Sequence, residues 1–262
     1  MDNEAVAAHA ADRFREKYQL GDAPISDLND LLESYVGIDV AIVPMEPGMD
    51  GMVVHDPHTG QRIISAACSQ SPERQRATLA HELGHIELGD YADGGLIQCQ
   101  VRTPQETRAD AFAQHLLVPA KGLEAYLEGQ ALAKGQLTEA DISKAVRYFA
   151  VSPALLLIQL ERGGWLASGQ KEAWRSLSVP GLAARFGWSD EHRASRVKSA
   201  TQQPPMRIVA EAVRAYENNL VGLEAIATIR NMDVATLRDE FESNGIRPKQ
   251  VNPRPRRFGR NK

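Results

Sequence analysis

RATLAHELGHIELG, residues 76–89, holds two histidines four positions apart, with a glutamate directly after the first. On an α-helix each residue advances about 100°, so positions four apart differ by roughly 40° and share a face. His81 and His85 therefore aim their imidazoles at one point, and Glu82 stands beside it. That donor set suits a zinc ion, which lowers the pKa of a bound water to about 7 while the neighbouring carboxylate takes the proton. The stretch is set up as a helix. Ser71-Pro72-Glu73 supplies an N-cap, a proline at the first helical position and an acid in the first turn, and Gly89 offers a stop.

A hydrolytic zinc uses three protein ligands, so one is still to be found. The candidate lies in PQETRADAFAQHLLVP, residues 104–119, which opens on a second cap-then-proline, Thr103-Pro104. Glu106 falls in the first turn of that helix and Asp110 follows four residues later on the same face. Glu106 can then bind metal while Asp110 accepts the free N–H of a ligand histidine, fixing its tautomer. The plainer reading is a solvated acidic first turn favoured by the helix dipole. Asp90, just past Gly89, is an alternative carboxylate, although reaching back to the site would strain its loop. His115 lies nine residues beyond Glu106, about 180° round the helix, and is expected to face away. His55 and His58 flank a turn, and His9 and His192 are remote in sequence.

Working outward, apolar residues recur at helical spacing through Val6, Ala10, Phe14 and Tyr18, and a second helix starts near Ser26. GIDVAIVP (37–44) alternates as a strand. GMVVHDPHTGQRIISAA (51–67) places two β-type runs around Asp56 to Gly60, which is hairpin punctuation. These segments predict a small antiparallel sheet ahead of the histidine helix. Downstream the pattern is helical. AVRYFAVSPALLLIQL (145–160), LAARFGWSDEHRASRV (182–197) and AIATIRNMDVATLRDE (225–240) each resemble a helix-turn-helix loosely.

At 262 residues the chain predicts one core plus an appended module. No stretch reads as a membrane span or export signal, which together with two unclustered cysteines, Cys68 and Cys99, predicts a cytoplasmic protein with reduced thiols. Net charge is -4, but residues 247–262 carry seven Lys/Arg and no acid, leaving 23 basic against 34 acidic residues elsewhere. An acidic body disfavours broad nucleic-acid binding, and the basic tail reads as a flexible, solvated arm.

Taken together, RATLAHELGHIELG and ETRADAFAQHLLVP (106–119) resemble the ImmA/IrrE family of metallopeptidases, over roughly residues 5–125. The resemblance implies an α+β fold. Its zincin-like catalytic core packs a small antiparallel sheet on helices bearing HExxH and ExxxD, and a mostly α-helical C-terminal region follows. It implies Zn2+ held by His81, His85 and Glu106, with Glu82 as general base and Asp110 behind the ligands. The implied activity is a zinc metalloendopeptidase whose protein substrate is a helix-turn-helix repressor of phage, mobile-element or stress-response genes. The expected layout is a metallopeptidase domain at 1–125, a helix-turn-helix-like segment at 126–168, a helical domain at 169–246 and the tail at 247–262. An extended substrate is expected to pair with an exposed sheet edge at Arg62 to Ala67.

Two other readings compete. In one, zinc only stabilises a regulatory module whose helical C-terminal half binds a repressor or DNA without cutting it. Acids in the second helices of the three turn-containing segments, among them Asp190, Glu191, Asp239 and Glu240, oppose phosphate approach. In the other, the C-terminal half restrains the peptidase. Tyr91, Tyr126 and Tyr148 are the hydroxyls available to steady an oxyanion, and each reads more readily as a packed aromatic.

Overall fold

The computed structural model describes residues 2–56, 58–90 and 103–250. Helix α1 (Asn3–Lys17) turns Ala7, Ala10, Ala11 and Phe14 inward. A short helix α2 (Leu28–Asp30) runs on as a π-helical turn, Leu31–Val36, that Gly37 ends at φ 79°. Three strands follow, β1 (Asp39–Val43), β2 (Gly51–His55) and β3 (Arg62–Ala67). Then come α3 (Pro72–Leu88), which carries both motif histidines, and α4 (Pro104–Leu117).

The sheet is mixed, in the order β1-β3-β2. β2 and β3 form the expected antiparallel hairpin, pairing Gly51 with Ala66 and His55 with Arg62. Its turn is held by Asp56, whose carboxylate accepts from the His58 amide at 2.8 Å and the Thr59 hydroxyl at 2.7 Å. β1, however, runs parallel to β3, from Asp39 beside Ile63 to Val43 beside Ala67. The antiparallel sheet expected from sequence is therefore corrected. Alternation with period two is common to both kinds of pairing and cannot tell them apart.

The same order corrects the expected substrate edge, because β3 is paired on both sides and lies in the centre. β1 is partly closed on its outer side, where Ile42 and Gln203 exchange backbone hydrogen bonds of 2.8 and 2.9 Å. Among the described residues, no strand pairs with the outer side of β2.

Six more helices complete the first of two compact units, which divide between Gln203 and Pro204. They are α5 (Ala120–Gly129), α6 (Glu139–Phe149), α7 (Pro153–Arg162), α8 (Gln170–Ala173), α9 (Val179–Phe186) and α10 (Ser189–Ala200). One continuous core runs from Ala7 and Phe14 through Leu83, Phe112 and Leu116 to Phe149, Leu160, Trp165, Trp174 and Leu182. α10 packs back on α3. There Gln75 donates to both Ala67 O (2.9 Å) and Ser199 O (2.8 Å), tying sheet, α3 and α10 together.

The second unit has its own small core of Ile226, Ala227, Leu237 and Phe241. It is built from α11 (Met206–Glu217), α12 (Leu223–Arg230) and α13 (Val234–Ser243). All three helix-turn-helix-like segments turn on one left-handed residue: Ala150 (φ 52°), Gly187 (φ 82°) and Asn231 (φ 49°). The first two pairs are built into the large core through Val146, Phe149, Leu156 and Leu182. Of the basic tail, Lys249 is tied to α11, its amide donating to Glu217 O at 2.7 Å, while 251–262 lie outside the described residues. So does Cys99; Cys68 is a free, half-buried thiol. Among the described residues no helix is long and apolar enough to cross a membrane.

Candidate metal centre

Two caps start the helices that matter. Ser71 accepts from the Arg74 amide at 3.3 Å to open α3, and Thr103 accepts from the Glu106 amide at 3.2 Å to open α4. The helices then pack tightly against one another, and Gly84 allows it. A Cβ at Gly84 would lie 3.0 Å from the Phe112 ring and 3.2 Å from the Ala109 Cα. This contact brings the first turn of α4 over the histidine face of α3.

Three side chains meet there. His81 Nε2 lies 3.0 Å from Glu106 Oε2 and 3.1 Å from His85 Nε2, and His85 Nε2 lies 3.3 Å from Glu106 Oε1. A tetrahedral ion with bonds of about 2.0–2.1 Å sets its ligand atoms roughly 3.3–3.4 Å apart, so the spacing fits zinc. The chemistry fits too: two imidazole nitrogens and a carboxylate are zinc donors. On the far side of the ring, His81 Nδ1 donates to Asp110 Oδ1 at 2.8 Å. That bond leaves the Nε2 lone pair free to face the site. His85 is fully buried, and its Nδ1 has no hydrogen-bond partner among the described residues.

Burial pulls the His81 pKa down, but the bond to Asp110 and the negative charges of Glu82, Asp110 and Glu106 outweigh it and leave the pKa raised. For His85, burial and the neighbouring His81 together lower it, against the pull of Glu106. The carboxylates that raise His81 make the site favourable to positive charge, and His85 is offered as a neutral ring. Both features suit a cation.

Glu82 is 1% exposed and lines the same cleft as His81 and Glu106. The cleft has a volume of about 560 Å³ and runs from Asp50 and Gly51, where β2 begins, past His81 and Glu106 to the first turns of α7. At Gly51 a Cβ would come within 2.4 Å of Thr78 Cγ2 and 3.0 Å of Glu82 Oε1, so only glycine lets β2 start this close to the carboxylate.

Residues 33–161 match a peptidase family model described as the IrrE N-terminal-like domain. This part of the chain belongs to the ImmA/IrrE family. It is a metallopeptidase-type domain, and the matched range contains all of His81, Glu82, His85, Glu106 and Asp110. No curated protein gives a significant match to the chain.

The remaining sequence candidates fall away from the centre. Asp90, the alternative carboxylate, is paired with Arg108 at 2.6 Å and is not in the metal-capable group. His115 faces away as expected, 2.6 Å from Glu4 Oε1. His192 is buried with its Nε2 3.4 Å from Glu73. Tyr126 and Tyr148 stack on each other at 4.4 Å and do not line the cleft, while Tyr91 lies outside the described residues. Reading the sequence missed Gly51, Gly84 and the α7 wall. Gly84 left a signal, since a glycine inside a helix marks a place where another backbone comes close; the α7 wall left none near the motif.

Proposed function

We propose that this protein is a zinc-dependent endopeptidase of zincin architecture. His81, His85 and Glu106 would hold the ion, and Glu82 would serve as general base. The observation that carries the reading is the meeting of those three donors within 4.8 Å of one another, beside a buried glutamate in an open cleft. When bound, zinc supplies Lewis acidity toward water and the scissile carbonyl. The protein groups do the rest. Glu82 takes the proton from the attacking water and returns it to the leaving amine. Asp110 keeps His81 in the Nδ1–H tautomer throughout.

Among the described residues the sheet edge left unpaired is that of β2, whose first residue lies against the Glu82 carboxylate, and an extended substrate would join there. Adding a strand there gives main-chain hydrogen bonds and brings a carbonyl past the metal ligands. The family resemblance supports a DNA-binding repressor as substrate and a cytoplasmic setting. Charge agrees with it: a body of 23 basic against 34 acidic residues attracts a basic protein.

The test is metal content together with turnover. One zinc per chain is expected in the parent and in Glu82→Gln, and none in His85→Ala or Glu106→Ala. Cleavage of a co-expressed repressor by Glu82→Gln should fall by roughly 10²–10⁴. Equal cleavage by that variant and the parent removes Glu82 from the role, and a parent without metal removes the hydrolase reading.

A further inference from the structure

We infer that the end of the cleft formed by α4 and α7 is an aliphatic subsite, and that it selects substrates by one leucine-like side chain close to the scissile bond. The inference rests on the peptidase reading above and adds what that peptidase prefers.

The two ends of the cleft are lined differently. Beyond His81 and Glu106, the wall is Ala113 from α4 and Ala154, Leu155 and Ile158 from α7. None of the four carries a charge or a hydrogen-bonding side chain. Their three polar neighbours in the lining are already engaged, the first being Asp110, which accepts from His81 Nδ1 at 2.8 Å. Ser152 accepts from the Leu155 amide as the cap of α7, and Gln114 accepts from Arg162 at 2.8 Å. The other end of the cleft differs, because there Asp50 and Arg74 form an exposed pair at 2.5 Å. A peptide laid through the cleft thus meets a charged mouth at one end and an aliphatic wall at the other.

Distance fixes how near this wall is to the chemistry. Ala113 lies seven residues after Glu106 on the same helix, an axial rise of about 10 Å. An extended peptide advances about 3.3 Å per residue, so the wall takes the side chain of a residue within about three positions of the scissile bond. Burying a leucine side chain there, rather than leaving it in water, is worth roughly a ten- to hundredfold preference. A folded repressor hides its leucines. The subsite therefore restricts cleavage to segments where an aliphatic side chain can leave the substrate's own core, such as a loop or an opened helix pair.

The full-length zinc-loaded protein can be tested with short peptide hydroxamates carrying leucine, alanine, aspartate or lysine at each of the first three positions from the hydroxamate, with binding read by calorimetry. Leucine should win by roughly ten- to hundredfold at one position. Ile158→Asp should abolish that advantage and favour lysine. Ala154→Leu, at an exposed helical position that leaves folding undisturbed, should shift the preference to alanine by filling the site. No binding, no leucine advantage at any position, or an advantage unchanged in Ala154→Leu would each overturn the subsite. Hydroxamate binding does not need Glu82. If the leucine preference holds while Glu82→Gln cleaves as fast as the parent, the proposed hydrolysis fails and the subsite stands. If Glu82→Gln is inactive and no preference exists, the reverse follows.

Discussion

Gly84 stands between His81 and His85, where helix propensity alone favours alanine by about 1 kcal/mol. Packing opposes that gain. The nearest atoms to a Cβ there include the Ala109 Cα and carbonyl oxygen at 3.2 and 3.3 Å, and backbone cannot swing aside as a side-chain tip can. Overpacking of this kind costs about 1–3 kcal/mol, so Gly84→Ala is expected to lower the melting temperature. It should also weaken metal binding, because the helix pushed away is the one carrying Glu106. A variant with unchanged melting temperature and metal affinity would show that α3 and α4 have room to spare. This is also the scale at which the sequence speaks most clearly. The relation of His81 to His85 is local and set by helix geometry, so it can be read from spacing. Glu106 meets His81 across 25 positions; helix spacing offered it only beside the reading of a solvated acidic first turn, and the family likeness favoured it as a ligand. Gly51 meets Glu82 through the folded sheet, and nothing in the local pattern announces that.

The elements place the donors through their ends. Thr103 caps α4 by accepting from the amide of Glu106 itself, so the cap fixes the residue proposed as the carboxylate ligand. Ser178 caps α9 in the same way through Gly181, but α9 contributes nothing to the cleft. Replacing either by alanine should cost about 1 kcal/mol of stability. Only Thr103→Ala should also reduce zinc affinity, measured by competition with a chelating dye; equal affinities in the two variants would separate cap from ligand. Caps, prolines and stops were readable because each is a short-range signal: Ser71-Pro72 and Thr103-Pro104 open helices where expected, and Gly89 closes α3 at φ 68°. Strand direction was not. A five-residue alternating run such as β1 fits a parallel or an antiparallel neighbour equally, and the crossover that brings β1 beside β3 is a property of the whole layer.

At the scale of the molecule, the family match ends at residue 161 but the core does not. Trp165, Trp174, Val179 and Leu182 belong to the same buried cluster as Phe14 and Phe112, and Gln203 pairs with Ile42 at the sheet's edge. A fragment of residues 1–203 is therefore expected to fold and bind zinc, whereas 1–161 should be insoluble or molten. A cooperative thermal transition in 1–161 matching that of 1–203 would contradict this. Metal removal should be felt through the same unit. At a thousandfold excess over Kd a ligand adds about 4 kcal/mol, and a domain of this size gains roughly 2–4 °C per kcal/mol. Stripping the zinc should then lower the melting temperature by about 8–16 °C, and an unchanged transition after chelation would argue that the ion is not bound by the folded state.

The continuity of that core from Ala7 to Leu182 bears on how the protein is made. Chains emerge from the ribosome N-terminus first. When His81 and Glu106 have just appeared, Phe149, Leu160, Trp165, Trp174 and Leu182 of the same core are still unsynthesised. The HELGH helix is therefore translated well before the core that surrounds it can close, which happens only once Trp174 and Leu182 have emerged.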